Sequence, residues 1–412
     1  MFIPVHDLWW LAAGGAGYGA RYMKARIEAA RSARKRRRVP DPTGELLRLQ
    51  TLYGFNAHSL VSIAPGALLW STPDIDGAII YGEFGRVWLA TGDPLAPLDD
   101  MAELARQFAA FAKRKGRAVA FVPTSAAFAR MVAPRDFTAL KVSAAPYFDL
   151  QTWNPRGDCA KKIRAGVNQA HRAGVAVEMI SDDIDESLKK ETARLCMNWL
   201  ETRRTATTFG WLVALDPFLH SEYKKYFAAR VNGKLVGFLA ASPIPARNGW
   251  YLEDVLREPD APQGTATLLV VEALTKLKEE GAALATLGTA PLATDGPNHI
   301  AAGEHRMIKT GLRVASRRLS GFYNFEGLRR FKGKFVPSWW ESEYCLGQRG
   351  VIIPPRVAHA VIRALVPGGV TQLLTRQALR VIRGSSPTNR GPRARSPRGA
   401  VAGNGSAQSS GQ

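Results

Sequence analysis

Two charged side chains close a predicted strand in the second half of the chain. Residues 249–256 have the pattern of a strand, and Asp254 and Arg257 stand where it ends. The backbone at a strand end can turn both side chains toward one cleft, although they alternate in direction within the strand. A carboxylate there can hold an ammonium group, and a guanidinium can bind phosphate or stabilise an oxyanion. Spacing alone favours a simple salt bridge at a strand end, and both interpretations stay open.

A loop that can bind an anion follows this strand. Residues 262–266 (PQGTA) lead into a predicted helix at 265–280. Backbone N–H groups at a helix start, here around Thr265, can hold a phosphate or a carbonyl oxygen, and Gly264 lets a ligand come close. A glycine before a helix is more often only a turn, so a turn is the alternative.

Basic and aromatic residues interleave in a third segment, residues 321–335 (GFYNFEGLRRFKGKF). Its apolar residues at three-residue spacing are typical of contacts with a core. Four cations between them, Arg329, Arg330, Lys332 and Lys334, remain available for anions such as phosphates. The segment therefore predicts a surface that grips an anionic substrate.

Residues 46–205 predict one complete α/β lobe. Apolar residues with a period of two predict strands, and those spaced three and four apart predict helices. The predicted elements are strands 67–71, 77–82 and 86–91, helix 98–115, strands 117–122 and 147–150, helix 158–173, strand 175–180 and helix 185–204.

Residues 206–350 predict a second lobe of the same kind, which carries the candidate residues. The predicted elements are a helix near 217–228, strands 226–231, 235–242 and 249–256, helix 265–280 and strand 283–288. No repeat between the lobes aligns by eye, so the duplication rests on element order. The predicted fold class is α/β (α+β), with two lobes that are each a mixed sheet flanked by helices.

The net charge of +21 is concentrated in three stretches. Residues 21–38 and 306–334 each carry nine Lys/Arg and one acid, and residues 371–412 carry seven Arg and no acid. The rest of the chain is close to neutral. Localised positive charge attracts polyanions, so the composition favours nucleic acid or an anionic bilayer as a partner.

The two ends of the chain predict contact with a membrane. Residues 1–20 are mostly apolar and residues 21–45 form a basic linker, so positive charge follows the apolar run. A signal peptide has the opposite order, and a span needs ~20 apolar residues, so a short anchor on the cytoplasmic side is favoured. Residues 351–383 predict basic amphipathic helices, for which packing on the body is an equal alternative, and residues 384–412 predict disorder.

Metal binding is not predicted. The three cysteines, Cys159, Cys196 and Cys345, are far apart and none has a metal-ligand spacing. His299 and His305 are six residues apart, which does not place two ligands on one helix face. Unpaired cysteines also favour a reducing, cytosolic compartment.

Several ordered motifs make the sequence similar to a known family. They are GLRRFKGKFVPSWWESEYCL at 327–346, LGTAPLA at 287–293, DVLR at 254–257, PDAPQGT at 259–265, and NWLETRR at 198–204 followed by TFG at 208–210. Together they resemble the catalytic domain of the MprF-type phosphatidylglycerol aminoacyltransferases. The resemblance covers roughly residues 150–346.

The resemblance implies two tandem acetyltransferase-like (GNAT) lobes. It also implies transfer of lysine or alanine from aminoacyl-tRNA to a hydroxyl of phosphatidylglycerol, at the cytoplasmic face of the inner membrane and without a cofactor. Matching positions imply functional roles for Asp254, Arg257, and either Lys332 or Lys334, and we predict Asp254, Arg257 and Lys332 to be catalytic. The residues predicted to bind substrate are Lys334, Arg329, Arg330, Gly264, Thr265 and Thr289. Ala293 departs from the family pattern, which often has a serine there.

Two other functions stay open. One is an acyl-CoA-dependent acyltransferase of the same fold, although the loop around Gly264 has one glycine where such sites usually carry two. The other is a non-catalytic adaptor that binds membrane and nucleic acid through residues 21–38 and 371–412.

Overall fold

The computed structural model describes residues 43–133, 135–180, 184–202, 215–297 and 325–348. Four predicted segments lie outside the described residues: the anchor (1–20), the basic linker (21–45) as far as residue 42, the basic helices (351–383) and the tail (384–412). None of the helices in the described part is long and apolar enough to cross a bilayer.

Seven helices and twelve strands are described, together with short 3-10 turns. The helices are α1 (Thr43–Tyr53), α2 (Met101–Arg114), α3 (Ala126–Val132), α4 (Lys161–Arg172), α5 (Glu186–Thr202), α6 (Thr265–Glu279) and α7 (Phe325–Gly333). The strands are β1 (Leu68–Thr72), β2 (Ile75–Phe84), β3 (Val87–Ala90), β4 (Ala118–Thr124), β5 (Phe137–Asp149), β6 (Ala176–Ile180), β7 (Lys225–Val231), β8 (Lys234–Ile244), β9 (Gly249–Arg257), β10 (Leu284–Thr286), β11 (Ala290–Pro291) and β12 (Trp339–Gln348).

One continuous mixed sheet runs through both halves in the order β1-β2-β3-β4-β12-β5-β10-β9-β8-β7-β6, and β11 pairs with β5. Strand β12 is the last described element, yet it lies between β4 and β5 of the first half and is antiparallel to both. Parallel pairing joins β3 to β4 and β10 to β9. The insertion of β12 therefore connects the end of the second lobe to the middle of the first.

Helices cover both faces of the sheet. In the first half, α2 buries Leu104, Phe108 and Ala112, which recur every four residues on one helix face. Phe108 is fully buried and contacts the rings of Trp70, Tyr81, Trp88 and Phe121. In the second half, α4 and α6 pack on one face of the sheet and α5 packs on the other.

The predicted fold class is confirmed: the chain is α/β, with two lobes of mixed sheet flanked by helices. Most predicted elements are present within a few residues of their predicted bounds. Two elements that precede residue 205 contact the second half, because β6 pairs with β7 and α4 packs on α6. The bounds of the two lobes at residues 46–205 and 206–350 stay a prediction.

The predicted helix near 217–228 is wrong. A short 3-10 turn at Ser221–Tyr223 leads directly into β7. Tyr226 and Ala228 face the α5 side of the sheet, while Phe227 and Ala229 face the α4–α6 side. A strand buried on both faces shows a continuous apolar run without alternation, which periodicity cannot separate from a buried helix. For a similar reason β5 begins ten residues before the predicted strand 147–150.

Candidate active site

Glu343 is the centre of a buried polar network where β12 crosses between the lobes. One carboxylate oxygen, Oε2, accepts a hydrogen bond from Ser143 Oγ of β5 at 2.8 Å. The other, Oε1, accepts one from Thr289 Oγ1 at 3.1 Å. Burial raises the pKa of Glu343 to about 7, against the effect of these two hydrogen bonds. The carboxyl can therefore take up and release a proton near neutral pH.

Lys332 enters the same network from α7. Its Nζ donates to the carbonyl oxygens of Gly288, at 2.9 Å, and Thr289, at 2.6 Å, and the residue is 8% exposed. Burial lowers the pKa of Lys332 to about 7, and the charge of Glu343 opposes this change. Because Thr289 contacts both side chains, it connects the lysine to the glutamate. An ammonium group has three N–H donors, and the two carbonyls use two of them.

His58 completes the network from the loop that follows α1. Its Nε2 lies 3.0 Å from Thr289 Oγ1, and its ring stacks on Tyr251 with centroids 5.2 Å apart. Burial, and then the charge of Lys332, lower the pKa of His58 to about 4, so the ring is neutral at pH 7. The Thr289 hydroxyl has only one hydrogen, which it donates to Glu343. In the hydrogen bond between Thr289 Oγ1 and His58 Nε2, the donor must therefore be the Nε2–H of His58. The three groups can pass a proton along one chain of hydrogen bonds.

The loop from Thr286 to Thr289 has the shape that this network needs. Thr286 Oγ1 donates to the carbonyl of Pro146 at 2.7 Å and accepts from the N–H of Gly288 at 3.0 Å. Gly288 has φ +69°, and a Cβ there would lie 2.3 Å from the ring of Tyr251. A side chain at this position would displace Tyr251 or turn away the carbonyls that hold Lys332.

A pocket opens beside Glu343 and His58. Its lining comes from the loop after α1, the end of β4 and the residue that follows it, the turn between β8 and β9, and strands β5 and β12: Phe55, Asn56, Ala57, His58, Pro123, Ser125, Tyr147, Arg247, Glu341, Ser342 and Glu343. The guanidinium of Arg247 is stacked 4.9 Å from the ring centroid of Phe55 and 4.4 Å from that of Tyr147. It also pairs with both carboxylate oxygens of Glu341, at 3.0 and 2.6 Å. These contacts hold one wall of the pocket rigid.

Asp254 and Arg257 do not pair with each other. The carboxyl of Asp254 lies on the α5 face of the sheet, where its charge acts on the Cys196 thiol. Burial raises the pKa of Asp254 well above its usual range, and the charge of Glu253 raises it further. Arg257 is exposed, and its Nη1 donates to the backbone carbonyls of Glu258, at 3.1 Å, and Pro259, at 3.4 Å. A salt bridge between the two side chains is therefore not formed.

Lys334 and the start of α6 lie together at another place, where α4 crosses α6. Lys334 Nζ donates to Thr267 Oγ1 at 2.8 Å, and burial lowers its pKa to about 8. Gly264 has φ +92°, and a Cβ there would lie 2.0 Å from the carbonyl oxygen of Gly166. Thr265 is fully buried and donates to the carbonyl of Pro262 at 2.7 Å. The backbone of α4 therefore covers the N-terminus of α6.

The two remaining cations pair on the surface of α7. Arg329 contacts Asp295 through Nε and Nη2, at 2.5 and 2.8 Å. Arg330 is exposed and donates to Glu326 at 3.0 Å. Of the residues predicted from the sequence, the structure brings Lys332 and Thr289 together. The roles assigned to the whole set stay predictions.

Sequence reasoning missed several groups of the network and pocket, among them Glu343, His58 and Arg247. A signal for Glu343 was available, since Glu341 and Glu343 alternate in the quoted motif SWWESEY and must share one face of a strand. His58 and Arg247 had none, because nothing local distinguishes them from other polar residues. In the described residues, no group of three or more His, Cys, Asp or Glu side chains is placed to hold a metal ion.

The fold places the chain among α/β proteins in which helices flank one mixed sheet that runs through two halves. Residues 57–347 match the family described as "Phosphatidylglycerol lysyltransferase, C-terminal", and the chain belongs to that family. The resemblance inferred from the sequence motifs is thereby confirmed.

Solved structures share this fold. The C-terminal domain (DUF2156) of a putative lysylphosphatidylglycerol synthetase from Agrobacterium fabrum is 23% identical, with a TM-score of 0.67 over 80% of this chain and 98% of that one. The L-PGS from Bacillus licheniformis is 20% identical, with a TM-score of 0.65 over 78% of this chain and 96% of that one. Both likenesses concern the fold.

Curated relatives are longer than this chain. A phosphatidylglycerol lysyltransferase of Bacillus subtilis (strain 168) is 23% identical over 288 residues, which are 69% of this chain and 33% of that protein. One of Staphylococcus epidermidis is 22% identical over 267 residues, which are 64% of this chain and 31% of that protein. The chain thus spans about one third of the length of the curated relatives it matches.

Proposed function

We propose that the chain transfers an aminoacyl group, lysyl or alanyl, from aminoacyl-tRNA to a hydroxyl of phosphatidylglycerol at the cytoplasmic face of the inner membrane. The relatives named phosphatidylglycerol lysyltransferase supply the substrate class. The observation that carries the proposal is that half-buried Glu343, which lines the pocket, and buried Lys332 both contact Thr289, while desolvation brings the pKa of each side chain to about 7.

The chemistry is an exchange of one ester for another. The glycerol hydroxyl of the lipid loses its proton to the Glu343 carboxylate, and its oxygen attacks the ester carbonyl of the aminoacyl-tRNA. The bond from that carbonyl to the terminal ribose oxygen then breaks, and the proton passes from Glu343 to the ribose oxygen. Because one ester replaces another, no external energy source or cofactor is required.

Lys332 and His58 support this proton transfer. The ammonium of Lys332 has one N–H beyond the two that hold backbone carbonyls, and this donor is available to the oxyanion that forms during attack. Neutral His58 fixes the orientation of Thr289, which in turn orients Glu343. Thr289 and His58 are positioning residues in this scheme.

Asp254 and Arg257 have the roles of holding the amino group and a phosphate of the donor. Asp254 faces one cation, since Lys224 lies beside it in a buried salt bridge with Glu253. An additional ammonium ion would lower the pKa of Asp254 again, so binding of the aminoacyl group should release a proton.

An acyl-CoA donor is less compatible with the fold. Such a donor would need the N-terminus of α6 for its pyrophosphate, and the backbone of Gly166 in α4 lies against Gly264 at that place. The close contact leaves no room for a phosphate group between the two helices.

The test is transfer of label to lipid. Purified protein is incubated with radiolabelled lysyl-tRNA or alanyl-tRNA and vesicles of phosphatidylglycerol, and the extracted lipid is counted; phosphatidylethanolamine vesicles are the lipid control. Glu343→Gln should lower kcat ~100-fold or more, as expected for loss of a general base. The matched control Glu326→Gln removes an exposed carboxylate of α7 and should leave kcat unchanged. Absence of labelled lipid with both donors, or full activity of Glu343→Gln, would contradict the proposal.

A further inference from the structure

Asp93 joins three segments of the first half beside the pocket. It lies in the loop between β3 and α2 and is 7% exposed. Its backbone N–H donates to Asn56 Oδ1 at 2.7 Å, and its Oδ1 accepts a hydrogen bond from the N–H of Ser125 at 2.9 Å. Asn56 belongs to the loop after α1, and Ser125 is the N-cap of α3. Both partners line the pocket, whereas Asp93 does not.

The carboxyl of Asp93 is matched to the donors around it. The side chains of Ser125 and Asn56 also form hydrogen bonds to this carboxyl. Because Asn56 Oδ1 already accepts from the Asp93 N–H, the amide nitrogen of Asn56 is the group that donates to the carboxyl. Burial raises the pKa of Asp93 to about 6, although the hydrogen bonds from Ser125 and Asn56 act in the opposite direction. The group is therefore mainly ionised at pH 7 and above, and a carboxylate presents only acceptors.

The loop that carries Asp93 has a fixed base. Before Asp93, the N–H of Thr91 donates to the carbonyl of Ile80 at 3.1 Å. After Asp93, Leu95 and Ala78 exchange two backbone hydrogen bonds of 2.9 Å each. Both contacts tie the loop to β2, so the sheet fixes the position of the carboxyl.

Asn56 transmits this position to His58. The Asn56 carbonyl accepts from the N–H and from Oγ of Ser59, at 3.2 and 2.9 Å, which closes a turn that contains His58. His58 Nε2 lies 3.0 Å from Thr289 Oγ1 in the network around Glu343. Hydrogen bonds of this kind span ~2.7–3.2 Å, so a shift of the turn by ~1 Å would separate His58 from Thr289.

We propose that Asp93 is a positioning residue for the transfer reaction and acts on His58 through Asn56. It thereby keeps this wall of the pocket aligned with the carboxylate of Glu343. The inference rests on the proposed function for the reaction that is positioned. Asp93 is not a second general base, because its carboxyl is held by donors from Ser125 and Asn56 and lies outside the pocket lining. Misplacement of a supporting group by ~1 Å can cost ~100-fold in rate, so the effect falls on kcat.

The experiment is a double-mutant cycle of Asp93→Asn and Asn56→Ala. Asparagine keeps the shape of Asp93, but its amide turns one acceptor into a donor that opposes the donors around it. Lipid labelling gives kcat and KM for aminoacyl-tRNA and for phosphatidylglycerol in the wild type, both single variants and the double variant. Hydrogen–deuterium exchange of the backbone amides of residues 54–63 reports on the loop independently of activity. The control is Phe108→Leu, which opens a cavity in the core of the first half, away from the pocket lining.

We expect Asp93→Asn to lower kcat ~10-fold or more, to leave KM for both substrates within ~2-fold of the wild type, and to speed exchange in residues 54–63. Because both substitutions break the same connection, the double variant should lose hardly more kcat than the more impaired single variant. Phe108→Leu should lower the urea midpoint while kcat and the exchange of the loop stay as in the wild type.

Three results would overturn the inference: an unchanged kcat in Asp93→Asn, losses that multiply in the double variant, or an equal loss of kcat in Phe108→Leu. If Asp93→Asn does not fold, Asn56→Ala decides, since it keeps the buried carboxylate and must lower kcat. If exchange in residues 54–63 rises in Asp93→Asn but even the wild type labels no lipid, the anchoring of the His58 loop stands and the proposed function fails.

Discussion

Lys332 should make the stability of the protein depend on pH in a way that one substitution removes. Burial lowers the pKa of this lysine from its ordinary 10.5 to about 7. Between these values the unfolded chain binds a proton that the folded protein does not, so the free energy of unfolding rises with pH. Below pH 7 the lysine is protonated in both states and this contribution to the slope vanishes.

The size of the effect follows from the pKa. A full proton difference changes the free energy of unfolding by ~1.4 kcal/mol for each pH unit, so the rise from pH 7 to pH 9 is ~3 kcal/mol. Glu343 contributes with the opposite sign at lower pH, because burial raises its pKa from 4.5 to about 7 and between these values the folded protein holds a proton that the unfolded chain has lost. Its titration overlaps that of Lys332 near pH 7. Both members of the comparison should therefore carry Glu343→Gln. Without that carboxylate the pKa of Lys332 lies no higher than in the wild type. The range from pH 7 to pH 9 therefore stays between the pKa of Lys332 in the folded protein and its ordinary value of 10.5.

Urea unfolding at pH 7, 8 and 9 compares Glu343→Gln with Glu343→Gln/Lys332→Met. The difference in unfolding free energy should shift by ~3 kcal/mol over this range in favour of the lysine. The matched control is Lys162→Met in the same background, since an exposed ammonium is hydrated in both the folded and unfolded states. A difference that stays flat with pH for Lys332 would refute the claim that the fold desolvates its ammonium.

Three further variants test other contacts. Gly264→Ala should destabilise the protein by ~2 kcal/mol or more in urea unfolding, because the new Cβ meets the carbonyl of Gly166 at a φ of +92°; an unchanged midpoint would show that α4 can move away. Asp254→Asn should raise the melting temperature more at pH 8 than at pH 5, because burial raises the pKa of this carboxyl and its ionisation costs more as pH rises; an equal effect at both pH values would contradict the burial. Arg247→Lys should cost ~1–3 kcal/mol in urea unfolding, because an ammonium cannot keep both bonds to Glu341 or the ring stacking; a neutral result would show that the wall of the pocket does not depend on the guanidinium.

Local patterns in the sequence were sufficient for most of the predicted elements and for the family. Strand 235–242 and helix 265–280 were predicted close to their observed bounds. The strand is a short apolar run after the turn Asn232–Gly233, and the helix repeats its apolar residues every three or four positions. The motifs at 287–293 and 327–346 contained Thr289 and Lys332, which the structure brings into one network. Such signals depend only on residues that are close together in the chain, so a single sequence is sufficient to show them.

Only the tertiary structure decided which residues share a site and how they titrate. The insertion of β12 between β4 and β5 brings Glu343 to Ser143, 200 residues away in the chain, and the loop after α1 brings His58 to Thr289, 231 residues away. Burial then raises the pKa of Glu343 and lowers the pKa of Lys332 until both lie near 7. Neither strand pairing at this range nor removal of water from a side chain is visible in a local pattern, because both depend on the packing of the whole sheet.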